Sequence, residues 1–299
     1  MLKSKKNLYL FRIFLFICLS SFIYKQKIYA YPLLDKNETS IHTDFKEVEN
    51  ARLNVIITHG IAESSKEYEK LAHRLNQFNY NVLLYDIRSH GQSRNDNDGV
   101  ADIDSFHTFI DDLHLIIDSL KQKNGLRNIL LGHSLGGMIN NCYVFKYNDI
   151  DGVINSGAPT KIIDSVIDFL DETKVMNMNN IPVGRNYERL SRLPLTTTMK
   201  NFRSVNFLTP NFVRTTMVRS IEYFQENMIN KSYRYPTSIL LLHGGQDTVI
   251  LPENSKEFFD LMKNKNKKFK LYPTNYHNLF NDLNNEQVYA DVIEWLQRF

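Results

Sequence analysis

Gly132-His133-Ser134-Leu135-Gly136-Gly137 follows a short apolar run, Asn128-Ile129-Leu130-Leu131, and precedes a segment whose apolar residues Met138, Cys142 and Phe145 recur at helical spacing. Strand, sharp turn and helix form the setting in which G-x-S-x-G carries meaning. The flanking glycines let a strand reverse into a helix with no Cβ in the way, so the serine sits on a strained turn with its Oγ exposed. Ser134 therefore reads as a nucleophile. The alternative is a glycine-rich turn whose serine caps the next helix.

A serine hydroxyl needs a base to take its proton and a third group to orient that base. After a strand-turn-helix serine the chain order is Ser, then Asp or Glu, then His. Downstream, Ser238 to His243 reads as a buried strand that runs into Gly244-Gly245-Gln246-Asp247. Asp247 lies just past a strand's C-terminal end, where open α/β sheets place ligands; a plain turn or helix cap would also use an Asp there. Phe269 to Tyr272 reads as a last strand, and the loop after it carries His277, a base candidate that could equally be a surface histidine. The developing oxyanion needs backbone N–H donors. Leu135, next to the serine, supplies one. The loop after the apolar run Val55 to Thr58 supplies the other, with Ile61 preferred over Ala62 because Gly60 allows the turn. His59 is a weak base candidate, since it precedes the nucleophile.

The remaining elements follow a regular rhythm. Strands are expected at 55–58, 81–86, 127–131, 152–155, 238–243 and 268–272, with helices near 66–77, 105–123, 253–262 and 286–299. Alternation of this kind implies a mostly parallel central sheet with helices on both faces. The core thus spans 31–159 and 236–299. Between them, over 160–235, no convincing strand is visible. Ile162, Ile163, Val166, Ile167 and Leu170 suggest one amphipathic helix, and Met217, Val218, Ile221, Phe224 and Met228 another. Such a stretch, inserted after the sixth core strand, reads as a helical cap over the site, and its Met, Phe and Leu content suggests an apolar acyl pocket.

The landmarks His59-Gly60-Ile61-Ala62-Glu63-Ser64-Ser65, Asp86-Ile87-Arg88-Ser89-His90-Gly91-Gln92-Ser93, Gly132 to Gly137, Gly245-Gln246-Asp247 and Tyr276-His277 together resemble an α/β-hydrolase of the monoacylglycerol lipase and lysophospholipase type, in the serine aminopeptidase-like branch. Where that family usually has Arg-Gly-His-Gly, Ser89 replaces the first glycine. The resemblance implies a serine esterase with Ser134, Asp247 and His277 as its triad and with monoacylglycerol or lysophospholipid as substrate. The residues alone indicate an ester or a related acyl bond. An iminopeptidase-like enzyme shares the core but needs an acid for the substrate amine, and Glu188 and Glu222 are too scattered to assign. Dehalogenase and epoxide hydrolase chemistry needs an Asp where Ser134 stands. A non-catalytic binding protein on this fold would usually lack a triad member.

The first thirty residues read as a separate segment, a secretory signal or an uncleaved anchor: a basic start, an apolar stretch from Leu8 to Ile23, and Ile28-Tyr29-Ala30 as a loose cleavage site. This segment makes the enzyme secreted or bound at the cell surface. It holds six cations and no acid, so removing it takes the formal charge from +3 to −3. That argues against a nucleic-acid partner. Mean hydropathy of −0.36 excludes a multi-span membrane protein. Cys18 and Cys142 are the two cysteines, which leaves no intrachain disulfide after cleavage. Neither a metal-ligand spacing nor a nucleotide-binding motif is present, so no cofactor is expected. The partner is a lipid ester, met at a membrane or micelle surface through the cap. His107 and His114, and Lys263 to Lys268, read as solvated.

Overall fold

Runs of apolar, β-branched residues bounded by Gly, Asn and Asp form the strands, and their lack of alternation reflects burial on both faces. The computed structural model describes residues 27–30, 33–34, 40–93, 100–101, 105–160, 180–182, 187–193, 212–214 and 228–299. Eight strands make one sheet: β1 (Lys27–Ala30), β2 (Thr43–Glu47), β3 (Asn54–Thr58), β4 (Asn81–Tyr85), β5 (Asn128–His133), β6 (Gly152–Ser156), β7 (Ser238–Gly244) and β8 (Lys267–Tyr272). Their spatial order is β1-β2-β4-β3-β5-β6-β7-β8. Every pairing from β4 through β8 is parallel, and β2 is antiparallel to both its neighbours. Five helices flank it: α1 (Glu69–Asn76), α2 (His107–Asn124), α3 (Leu135–Lys146), α4 (Pro252–Leu261) and α5 (Asn285–Leu296).

Strand residues alternate between two cores. Ile56, Leu130, Val153 and Leu241 pack with Leu113, Ile116 and Ile117 of α2 and with Met138 and Phe258 from α3 and α4. Val55, Ile57, Ile129, Leu131 and Leu242 pack with Leu71 and Leu75 of α1 and Val292 and Trp295 of α5. The sheet is thus sandwiched, and all six parallel strands from β3 to β8 end on one side. At the opposite ends, a buried amide network joins the strand starts. Asn54 Nδ2 donates to Asn124 Oδ1 (3.0 Å) and Asn128 Oδ1 (2.9 Å), while its Oδ1 accepts from Asn81 Nδ2 (3.0 Å).

Lys27–Ala30 pairs with Asp44–Glu47 as β1. Two expectations need correction. The region 160–235 contains two short strands, Asn180–Pro182 and Phe212–Arg214, which pair with each other; Phe212 and Val213 also pair with Val100–Ala101. Strands of two or three residues are too short for a period to show. The two expected cap helices lie outside the described residues, apart from their last member, Met228, which is buried in the core. Finally, the lysine stretch is not simply a solvated helix end. Lys267 begins β8 and donates to the Phe259 and Met262 carbonyls, 2.6 and 2.7 Å away, that close α4. His107 is exposed, whereas His114 is half-buried and stacks on Tyr147 with ring centroids 3.8 Å apart.

Candidate active site

The loop after each parallel strand brings one part of the site. At the β5–α3 turn Ser134 adopts φ 51° and ψ −120°, a conformation a non-glycine residue rarely holds. Its N–H donates to the Ser156 carbonyl at the end of β6 (2.9 Å), and its own carbonyl accepts from Gly137 N and Met138 N (3.0 and 3.2 Å). The side chain makes no capping bond to α3 and is half-exposed, which disposes of the capping alternative. The two motif glycines are required sterically. A Cβ on Gly132 would come within 2.6 Å of the Gly136 backbone, and one on Gly136 within 2.1 Å of the Thr58 carbonyl oxygen.

Asp247 and His277 meet directly. His277 Nδ1 donates to Asp247 Oδ2 at 2.7 Å, and both residues are buried. Nδ1 therefore carries a proton, which leaves Nε2 as the ring's other nitrogen for exchange with a substrate or nucleophile. His277 is no surface histidine. Both readings of Asp247 hold at once, because Oδ1 accepts the turn N–H groups of Val249 (2.8 Å) and Ile250 (2.9 Å) while Oδ2 serves the imidazole. A second ring, His243, approaches the same Oδ2 with its Nε2 at 3.1 Å. That nitrogen also faces the Ile250 carbonyl (2.9 Å), so it carries a proton, and the ring's other nitrogen lies 2.7 Å from Ser255 Oγ. Although burial alone would raise its pKa, the Asp247 carboxyl is held far below the usual carboxylate range by these two imidazoles.

The histidine loop reaches the serine turn. The His133 and His277 rings are 4.7 Å apart, and Gly157, the residue after Ser156, lies against the His277 ring. His133 is itself buried with Nδ1 3.1 Å from the Ser156 carbonyl; burial lowers its pKa from 6.5 to about 4. At neutral pH its 3.9 Å approach to Glu63 is thus not an ion pair.

In the loop after β3, most N–H groups are committed. Gly60 N donates to Glu63 Oε2 (2.7 Å), Ala62 N to His90 Nε2 (3.1 Å) and Glu63 N to the Gly60 carbonyl (3.2 Å). Among the described residues nothing takes the Ile61 N–H. Leu135 opens α3, where a helix has no internal acceptor for its N–H. His59 has both ring nitrogens occupied, one facing the Gly60 carbonyl and the other accepting from Ile87 N, so it serves as a loop brace and not as a base. Ser89, in place of the family glycine, is forced to φ 65° with its Oγ buried and unpartnered.

Two residues of the site escaped the sequence reading. Glu63 ties the connection after β3 to the histidine loop: besides Gly60 N it accepts from Tyr68 OH (2.7 Å) and from Asn278 Nδ2 (2.8 Å), next to His277. Its only signal was a lone acid in an otherwise weakly polar turn. His243 was visible as the one polar residue closing an apolar strand, four positions before the acid. A grouping with metal-ligand chemistry among the described residues, His114, Asp118 and Asp149, lies on α2 and the loop after α3. There Lys121 already places an ammonium 2.5 Å from Asp149.

The mostly parallel strand order with helices on both faces agrees with the family comparison. The family model described as serine aminopeptidase S33 matches residues 49–284. The chain belongs to that family. It is an α/β-hydrolase, an enzyme fold, and its relatives extend over most of its length. It is 26% identical to the monoglyceride lipase of Saccharomyces cerevisiae over 276 residues, covering 83% of this chain and 85% of that one. Identity to the monoacylglycerol lipase of Mycolicibacterium smegmatis is 25% over 248 residues, covering 81% and 87%. The crystal structure of Paleococcus ferrophilus monoacylglycerol lipase superposes with a TM-score of 0.71 at 25% identity, covering 86% of this chain and 98% of that one.

Proposed function

We propose that this α/β-hydrolase cleaves carboxyl esters of lipids, monoacylglycerols or lysophospholipids foremost, through an acyl-enzyme on Ser134. The observation that carries the reading is the 2.7 Å Asp247–His277 contact beside a serine held, uncapped, on a turn at positive φ. The relatives named as monoacylglycerol lipases supply the substrate class.

Ser134 Oγ attacks the ester carbonyl while His277 Nε2 takes its proton. Asp247 keeps the imidazole oriented and stabilises the imidazolium without taking the proton itself. The N–H groups of Ile61 and Leu135 hold the oxyanion, a contribution of about 3 kcal/mol per donor. Collapse of the tetrahedral intermediate breaks the C–O bond, and His277 returns the proton to the departing alcohol. Water then repeats the sequence on the acyl-enzyme and releases the acid. The cap, 160–235, shields the pocket and meets the membrane or micelle that holds the substrate. An aminopeptidase would need a carboxylate in that pocket; Glu188 is exposed and Glu222 lies outside the described residues.

The N-terminal segment, residues 1–30, exports or anchors the enzyme. N-terminal sequencing of the exported protein tests this: a start near Tyr31 supports a cleaved signal, and a chain still starting at Met1 replaces it with an anchor. A fluorophosphonate probe tests the mechanism. The wild type is expected to label and Ser134→Ala to remain unlabelled, with ester turnover reduced by about four to six orders of magnitude. Equal labelling removes Ser134 from the nucleophile's role. Across an ester panel, rates that do not rise from short to long acyl chains overturn the lipid reading.

A further inference from the structure

Of the region between β6 and β7, one piece sits directly on the catalytic loops. Tyr187–Leu190 forms a single helical turn, and the three residues after it are also described. Leu190 offers its carbonyl to Asn278 N at 2.9 Å. Arg192 and Ser191 surround Asp282, whose side chain is fully buried. Asp282 Oδ1 accepts from Arg192 N (2.7 Å) and Ser191 Oγ (3.3 Å), and Oδ2 accepts from Arg192 Nε (3.0 Å). The same Oδ2 also accepts from Tyr276 N, again at 3.0 Å. The guanidinium reaches further, to Thr274 Oγ1 (2.9 Å) and the Leu283 carbonyl (2.5 Å).

Tyr276 and Asn278 flank His277. Both of their backbone N–H groups are therefore tied to this short segment, one directly through the Leu190 carbonyl and one through the Asp282 carboxylate that Arg192 holds. Arg192 holds both oxygens of the buried carboxylate, with its backbone N–H on Oδ1 and its guanidinium Nε on Oδ2, which fixes direction as well as distance. Glu63 reaches the same loop from the opposite side through Asn278 Nδ2. The His277 imidazole is thus aimed by a peptide held between the core and a segment of the cap region.

We infer that Leu190–Arg192 is a clamp on the base, and that Arg192 is a positioning residue for His277 acting through Asp282. The cap region then does more than line a pocket: its seating on the core sets the geometry of proton transfer. This inference rests on the serine-hydrolase reading above.

The test separates aiming from substrate binding by using p-nitrophenyl acetate, too short to depend on an acyl pocket, beside a long-chain monoacylglycerol. Arg192→Met is expected to lower kcat on both esters by about 10- to 100-fold, the scale of a sub-ångström to ångström misplacement, with KM changed less than about twofold. The rate of fluorophosphonate labelling should fall in parallel. Asp282→Asn should reproduce the loss, and the double variant should lose no more than the worse single one. Arg192→Lys keeps the charge beside Asp282 but not the three guanidinium bonds to Asp282, Thr274 and the Leu283 carbonyl, so it should fall between, and it serves if Arg192→Met does not fold. Unchanged kcat on the short ester in the folded variants overturns the clamp, and so does a loss confined to KM for the long ester. A wild type that fails to label at Ser134 overturns the serine-hydrolase reading instead, and is told apart by needing no variant.

Discussion

The two ends of the parallel strands are both buried and both polar, yet they are built differently. At the strand starts, Asn54, Asn81, Asn124 and Asn128 join uncharged amides, each paired with another. At the strand ends stand an ionised Asp247, the five buried histidines His59, His90, His133, His243 and His277, and three non-glycine residues at positive φ: Ala62, Ser89 and Ser134. A satisfied neutral network costs little to bury and fixes strand register. Non-glycine turns at positive φ cost of order 1–3 kcal/mol each, and these and buried charges persist where the surrounding structure imposes them. The contrast separates polarity that holds the fold from polarity arranged for chemistry.

Acid should split the two ends most widely. His133 in the unfolded chain takes a proton near pH 6.5, while in the folded protein it resists until about 4. Between these values the unfolded state binds more protons, so stability falls as the pH is lowered through the window, by about 3 kcal/mol at most. His133→Asn should flatten that part of a pH series of urea midpoints, whereas Asn54→Ala should lower the whole curve evenly. Asp247 acts in a lower window. Its folded pKa is depressed, so the stability it lends is present above the ordinary carboxylate range and disappears only as the pH drops below it.

A smaller effect distinguishes the ends by what they control. Asn54→Ala orphans several amide partners and should cost about 2 kcal/mol of stability, read by denaturant unfolding, with kcat per folded molecule unchanged. His243→Leu removes one donor from Asp247 and should lower kcat by about 30-fold, a barrier change of about 2 kcal/mol. His243→Gln, whose amide can reach Oδ2, should recover part of the rate. If Asn54→Ala slows catalysis as much as His243→Leu does, the division between the ends fails.

Smallest is Ser89→Gly. It relieves a left-handed turn and deletes a buried, unpartnered hydroxyl, and should raise stability by about 1 kcal/mol with no change in kcat. A loss of stability would mean that the Ser89 conformation is not strained.

Much of the strand-end architecture was legible because glycine and asparagine punctuate it. Ser134, Asp247 and His277 each follow an apolar run at an abrupt change of composition, and their chain order restricts the pairing. Thr43–Glu47 was not legible: Phe45 is its single apolar residue, and Lys46 is drawn inward by Asp44 and Glu69, at 2.8 and 2.9 Å. His243 and Glu63 lacked a pattern too, since a solitary polar residue has no period. Arg192 and Asp282 are ninety positions apart, and nothing local in either stretch announces the ion pair.

The edge strand β1 decides where the chain can be shortened. An enzyme expressed from Tyr31 onward would leave the outer row of N–H and C=O groups on Thr43–Glu47 bare, a template for another copy's strand to join. Starting at or before Lys27 keeps that row paired and makes the outer edge of β1 the end of the sheet.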